Sequence, residues 1–285
     1  MEKVAVIILN YNSFTQTNQC VCEIRKQKYV NIELIIVDNK STADSEITDL
    51  QQLAQNSYAI LLEADKNRGY NAGNNIGIRY ALDHNINYIL IANPDMLFPD
   101  TEYIYKLLNS IIKFPQIAVV GSDIITPEGF HQNPIAFKLS SVDITIGWIT
   151  NILKKRNHKS DNWNDRYNET RECSILNGCC FLIKADFLKR INLFDERIFL
   201  FGEERILGAQ VIQNNFRMLY NGKTHAIHNH IQSKEGKQWP RLKMLKNSEL
   251  LFIRLYANLN TFQRVIAIAC IHAKYLFLHL KYYRK

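Results

Sequence analysis

Acidic side chains at the ends of apolar runs are the residues here best placed to do chemistry. Asp38 closes the run Ile32-Glu-Leu-Ile-Ile-Val37, and Asp95 follows Tyr88–Ala92 through Asn93-Pro94. A carboxylate leaving a buried strand can accept hydrogen bonds from a ribose hydroxyl or a base N–H. A hard divalent cation such as Mg2+ or Mn2+ takes one or two carboxylates and fills its other positions with phosphate and water oxygens. Glu203 and Glu204 follow Phe199-Leu-Phe-Gly202 where a helix begins, a setting that favours an ionised carboxylate and suits a general base. Adjacent helix positions diverge by about 100°, so one of the two faces a substrate.

Two further segments carry polar chemistry. His228-Asn229-His230 puts two imidazoles on one side of an extended chain, a spacing that ligates a metal or contacts phosphate. Asn67-Arg68-Gly69-Tyr70-Asn71-Ala72-Gly73-Asn74-Asn75-Ile76-Gly77 places Gly73 and Gly77 on one helix face. Its Gly/Asn-rich start predicts free backbone N–H groups for an anion, with Arg68 adding positive charge. Each feature has a plainer reading: a turn former at Asp38, a packing stripe at Gly77, ordinary first-turn acids at Glu203 and Glu204.

These residues need a scaffold, and the pattern supplies one. Val4–Leu9 reads as a strand buried on both faces, Ser13 as the N-cap of a helix reaching Lys28, and residues 32–37 as the next strand. A helix near 44–55, a strand near 58–62, a helix near 72–84 and a strand at 88–92 continue the alternation. This predicts a doubly wound α/β fold, mostly parallel, with helices on both faces and ligands beyond the carboxyl ends of the strands. Past it come a helix at 101–114, a strand at 117–122, an irregular stretch at 123–171, a strand at 174–183 and helices at 185–191 and 203–214. A short strand at 217–220 follows, with helices from Trp239 onward.

Composition narrows the function. The 285 residues are 47% hydrophobic and 22% charged, ordinary globular values. The formal net charge of +8 is unevenly placed, −1 over residues 1–233 and +9 over 234–285. A nucleic-acid-binding surface spread over the whole chain is therefore excluded. No Gly-rich turn follows the first strand and no GxxxxGK[ST] loop occurs, which sets aside dinucleotide-linked oxidoreductases and P-loop ATPases. Six cysteines without CxxC spacing, and a start that shows no signal-peptide pattern, fit a reducing cytosol. The vicinal Cys179-Cys180 reads as two small strand residues.

In this order, Val-Ile-Ile-Leu-Asn-Tyr-Asn (6–12), Ile-Val-Asp-Asn-Lys-Ser (36–41), the segment 67–77, Asn-Pro-Asp (93–95), Leu-Asn-Gly-Cys-Cys-Phe-Leu-Ile (176–183), Phe-Gly-Glu-Glu (201–204) and His-Asn-His (228–230) resemble a known pattern. It is that of the family 2, GT-A-fold inverting glycosyltransferases of bacterial polysaccharide assembly, particularly the rhamnosyltransferase-like branch. The resemblance spans about residues 1–233. It implies a nucleoside-diphosphate sugar donor (dTDP- or UDP-linked), Mn2+ or Mg2+ as cofactor, and transfer of rhamnose or another hexose to a glycan or polyisoprenyl-linked acceptor. By position, Asp38 contacts the nucleoside with Asn10, Asn67, Arg68, Gly69 and Asn93 in the donor pocket, and Asp95 and His228 hold the metal. Glu204 is the base, with Glu203 as its alternate. The chain departs from the pattern at Arg205-Ile206, where a further acid is common, and at Glu204, where Asp is frequent.

The implied division is 1–100 for the nucleotide-sugar half, 101–233 for the acceptor half with the base, and 234–285 for a basic amphipathic helical tail. That tail contains no run of ~18 uninterrupted apolar residues. Its mixture of Lys/Arg, Tyr and apolar stretches suits the surface of an anionic membrane, placing the protein on the inner face of the cell membrane. The competing reading is a helix packed on the catalytic domain with a solvated basic face. A homodimer is compatible with the sequence. The rival functions are a non-catalytic nucleotide-sugar or polysaccharide-binding module and a sugar-phosphate nucleotidyltransferase. The latter should open with a basic, Gly-rich loop, which Asn10-Tyr11-Asn12-Ser13 is not.

Overall fold

The apolar run after Glu2 forms β1 (Lys3–Asn10), buried from Val4 onward because helices cover both of its sides. The structure, a computed structural model, describes residues 2–137, 143–145, 167–230 and 238–283. Strand β1 is followed by α1 (Phe14–Arg25), β2 (Asn31–Asp38), α2 (Glu46–Ser57), β3 (Ile60–Glu63), α3 (Tyr70–Asp83) and β4 (Tyr88–Ala92). Next come β5 (Met96–Leu97), α4 (Tyr103–Lys113), β6 (Ile117–Ile125), β7 (Thr170–Cys173), β8 (Cys180–Lys184), α5 (Ala185–Arg190), α6 (Glu203–Gln213) and β9 (Arg217–His228). Two long helices, α7 (Gln238–Leu255) and α8 (Thr261–Tyr283), complete the described chain. The strands form one sheet in the order β3-β2-β1-β4-β8-β6-β9-β5, with β7 on β9. Pairing is parallel from β3 to β4, β8 runs antiparallel to β4 and β6, and β6 and β9 are again parallel.

Alternation along β1 divides the interior. Val4, Val6 and Ile8 meet Cys20 and Ile24 of α1, whereas Ala5, Ile7 and Leu9 meet Ile78 and Ala81 of α3. Gly73 and Gly77 allow that second approach: a Cβ at Gly73 would lie 2.5 Å from Leu9 Cδ1, and one at Gly77 2.8 Å from Ile7 Cγ2. The four-residue glycine period is thus a packing stripe on β1. Cys180 opens β8 as a strand residue, whereas Cys179 belongs to the turn before it; both are buried, and all six cysteines are free. A third core joins Ile198 and Ile206 to Phe252, Ile253, Ala267 and Tyr275 of the α7–α8 hairpin.

Several boundaries differ from the sequence reading. Ser13 gives α1 no side-chain cap; its hydroxyl donates to Asn10 Oδ1 at 3.0 Å. Strand β9 runs twelve residues, to His228, because β6, β5 and β7 all pair along it. Conversely, residues 174–179 form a turn and an isolated bridge, and β8 starts only at Cys180. The stretch expected to be irregular contains the end of β6 and the start of β7. Residues 138–142 and 146–166 of it lie outside the described residues.

Candidate active site

The turn Asn177-Gly178-Cys179 ahead of β8 is the pivot of the site. On one side, Asn93 N–H donates to Cys179 O at 2.8 Å, tying down the loop that carries Asp95. On the other, a Cβ at Gly178 would lie 3.3 Å from Glu203 Oε1 and 3.4 Å from Glu204 Oε1, so both carboxylates pack against a position without a side chain. Tyr70 Oη donates to Gly178 O at 2.6 Å, and the turn is fixed internally by Cys179 N–H to Asn177 Oδ1 at 3.0 Å. Strands β4 and β8 pair up to Ala92 and Cys180, which brings the two motifs to one end of the sheet.

Asp95, His228 and His230 converge there, with one ligand atom from each lying within 4.8 Å of the others. Asp95 Oδ2 is 3.1 Å from His230 Nδ1, and Asp95 Oδ1 is 3.3 Å from His228 Nε2. The length of β9 explains the convergence: Met96 pairs with His228, and Asn229 N–H donates to Asp95 O at 2.9 Å. His228 Nδ1 lies 2.8 Å from Gln132 Oε1, an atom that can only accept, so Nδ1 bears a proton and Nε2 is the nitrogen turned toward Asp95. Asp95 Oδ1 and His228 Nε2 are both buried without a hydrogen-bond partner. The two atoms can share a proton carried on Nε2, which makes an ion pair at 3.3 Å, or, with the imidazole neutral, close together on a cation. Ligands of one Mn2+ or Mg2+ ion, each about 2.1 Å from it, sit roughly 3–4 Å apart, so this donor set fits a divalent metal. Burial pushes the Asp95 carboxyl up, but the two imidazoles outweigh it and hold it below its ordinary range.

The carboxylate pair opens α6 after two left-handed residues, Phe201 (φ +71°) and Gly202 (φ +86°). Burial and the neighbouring Glu204 charge push Glu203 up to about 8, and its Oε2 is buried without a partner. Glu204 is also raised by burial, opposed by backbone N–H groups of Glu204, Gly178 and Gly202. Glu204 and Arg205 also line a groove whose far wall is Leu245, Ser248 and Phe252 of α7, so the tail borders the site.

At the neighbouring strand ends, β1 and β2 pair Asn10 with Asp38. Asn10 is fully buried, and its Nδ2 reaches Asp38 Oδ1 (3.1 Å), Ser41 Oγ (3.1 Å) and Glu46 Oε1 (2.9 Å). Asp38 also accepts from Ser41 Oγ and N at 2.5 and 3.1 Å. The Asn10 side chain is thereby committed to positioning Asp38. The sequence reading overlooked Glu46, which also receives Ser13 N–H at 2.7 Å.

The 67–77 segment differs most from expectation. Two of its leading N–H groups are already engaged: Gly69 N–H goes to Asn67 Oδ1 at 2.9 Å and Tyr70 N–H to Phe199 O at 2.8 Å. Asn67 Oδ1 also accepts from Asn39 Nδ2 at 3.1 Å, and exposed Arg68 is paired with Asp65 at 2.8 and 2.9 Å. A Cβ at Gly69, whose φ is +97°, would lie 2.1 Å from Phe199 O. Asn71 donates to Asp195 O at 2.8 Å, and Asn75 holds Phe194 through both its N–H and its C=O at 3.1 and 2.9 Å. The asparagines thus anchor the 194–202 loop that delivers Glu203 and Glu204. No spacing rule on 67–77 identifies residues over a hundred positions away as its partners.

Comparisons with known proteins bear on the family and the fold. The pattern of Glycosyl transferase family 2 matches residues 5–191. The low-salt glycan biosynthesis hexosyltransferase Agl10 of Haloferax volcanii is 23% identical over 230 residues, covering 80% of this chain and 68% of that protein. Glycosyltransferase GlyG of Streptococcus pneumoniae serotype 4 is 36% identical over 95 residues, 33% of this chain and 30% of that protein. Among solved structures, the mannosyltransferase PcManGT from Pyrobaculum calidifontis, in complex with GDP-Man and Mn2+, superposes with TM-score 0.61 at 16% identity, covering 95% of this chain and 68% of that one. S. aureus TarS gives 0.59 at 15% identity, covering 96% and 43%. The family match spans well over half of the chain, and the sheet with its flanking helices is that of its GT-A neighbours: this chain belongs to glycosyl transferase family 2.

Proposed function

We propose that the protein transfers a hexosyl group, rhamnose or another hexose, from a dTDP- or UDP-linked donor to a hydroxyl of a growing, lipid-linked glycan, with inversion at the anomeric carbon. The observation that carries this reading is the 177–179 turn, which separates an Asp/His/His cluster from a buried carboxylate pair by a single strand start. Asp95, His228 and His230 would hold a divalent cation, which when bound neutralises charge on the departing diphosphate. Asp38, fixed by Asn10 and Ser41, faces the nucleoside. Glu204 takes the proton from an acceptor hydroxyl arriving through the groove beside α7, in line behind the anomeric carbon. Glu203, pushed up to about 8 beside it, holds its proton near neutral pH. Hexose transfer by Agl10, and the GDP-Man and Mn2+ bound by PcManGT, support the donor class and the metal. The division into 1–100, 101–233 and 234–285, and a place at the inner membrane face, complete the proposal.

A donor screen of UDP-, dTDP- and GDP-sugars with and without Mn2+ tests it first, since a donor that binds the native state raises its melting temperature. With the donor found, Asp95→Ala and Glu204→Gln each lower turnover by ~10²-fold or more. Near wild-type transfer by Glu204→Gln would remove it as the base. Stabilisation by donors without any transfer or donor hydrolysis would favour a binding module.

A further inference from the structure

We propose that the outer face of α8 is a docking surface for an anionic phospholipid bilayer, distinct from the transfer site. The helix carries two apolar stripes. The inner one, Ala267, Ile271 and Tyr275, is buried in the third core. The outer one, Phe262, Val265, Ala269, Ala273, Leu276 and Leu280, recurs at three- and four-residue spacing on the opposite side and is exposed, with Phe277 beside it. Phe262 is 74% exposed, Val265 62% and Leu276 60%, so among the described residues nothing covers this stripe. The structure thus departs from the packed-helix reading of the tail in one respect. The helix packs on the catalytic domain, and its free face is apolar where a solvated basic face was the competing expectation.

The flanking charge identifies the occupant. Between Phe262 and Leu280 the cations of α8 are Arg264 and Lys274, and both are engaged elsewhere. Arg264 donates to carbonyls of Ile253, Arg254, Ala257 and Leu259 at the hairpin turn, and Lys274 pairs with Glu249 at 2.6 Å. The hairpin folds back on itself, with the Trp239 ring 4.2 Å from that of His279. Exposed Arg241 and Lys243 of α7 therefore lie at the same end as exposed Lys281, with Arg284 and Lys285 next in sequence. An apolar strip ending in a cationic cluster and a half-exposed Trp239 matches the acyl and phosphate layers of an anionic leaflet. A second copy would bring a +9 tail against another +9 tail. Thr261–Lys281 is long and apolar enough to cross a membrane by length and composition, but spanning would strip the inner stripe from its core and break the Lys274–Glu249 pair.

The test is vesicle flotation of the full chain. Wild type floats with phosphatidylglycerol/phosphatidylcholine vesicles and at least tenfold less with pure phosphatidylcholine. The triple variant Val265→Ser/Leu276→Ser/Phe277→Ser, changed only at exposed positions, keeps its melting temperature and binds anionic vesicles at least tenfold more weakly. Lys243→Gln/Lys281→Gln weakens binding and flattens its salt dependence. Unchanged flotation of the triple variant overturns the proposal, as does carbonate-resistant retention of wild type, which marks a span. A wild-type dimer that the triple variant converts to monomer, without vesicle binding by either, assigns the stripe to a second copy instead. None of these readouts uses sugar transfer, so their failure is separable from failure of the proposed reaction.

Discussion

Glu203 and Glu204 are the residues at which local sequence and environment conflict most. The first turn of α6 favours ionised carboxylates, but burial against Gly178 and the 194–202 loop favours the protonated form, and for Glu203 burial wins. The consequence for stability has a definite sign. With a folded-state pKa near 8 against an ordinary value near 4.5, native Glu203 binds a proton that the unfolded chain releases, so stability falls as pH rises between those values. Glu203→Gln removes this dependence. The variant should gain roughly a few kcal/mol over wild type above pH 8, with the gain vanishing below pH 4.5, as read by urea denaturation across pH. A variant without any gain at high pH would show Glu203 to be hydrated in solution.

At the scale of elements, β9 turns a weak HxH signal into a cluster. Its extension to His228 opposite β5, and not the spacing of the histidines alone, brings both rings to Asp95. Gln132 then sets which nitrogen of His228 is turned toward Asp95, an orienting contact from the bend after β6 that no sequence motif marks. Gln132→Leu should lower Mn2+ affinity by about 10–100-fold, whereas Gln132→Glu, which still accepts the Nδ1 proton, should retain it. Calorimetric titration of Mn2+ into each variant measures this without turnover. The 67–77 segment teaches the converse: its start reads as an anion site, but the asparagines and Gly69 serve the docked loop.

The whole molecule couples its parts through the third core. The α7–α8 hairpin packs on Ile198 and Ile206, which flank the carboxylate pair, and α7 walls the groove at Glu204. Ile271 is buried on the inner stripe, and Ile271→Ala should cost about 2–4 kcal/mol in denaturant unfolding by leaving a cavity. If the groove receives the acceptor, the same variant should raise the acceptor KM more than the donor KM. Equal effects on both would separate the tail from acceptor binding.

The sequence by itself determined the alternating half of the fold, because buried parallel strands such as Val4–Leu9 and Tyr88–Ala92 must be nearly continuous apolar runs wherever they sit. It also marked the acids and histidines, because chemistry restricts residue types at such positions. Tertiary structure alone decided the length of β9, the roles of Glu46, Gln132 and the asparagines of α3, and the uncovered face of α8. Each of these depends on a partner far away in the chain, as in Asn75 with Phe194 or Gln132 with His228. Local periodicity records which face of an element is apolar, whereas what that face or side chain meets is set by packing across the molecule.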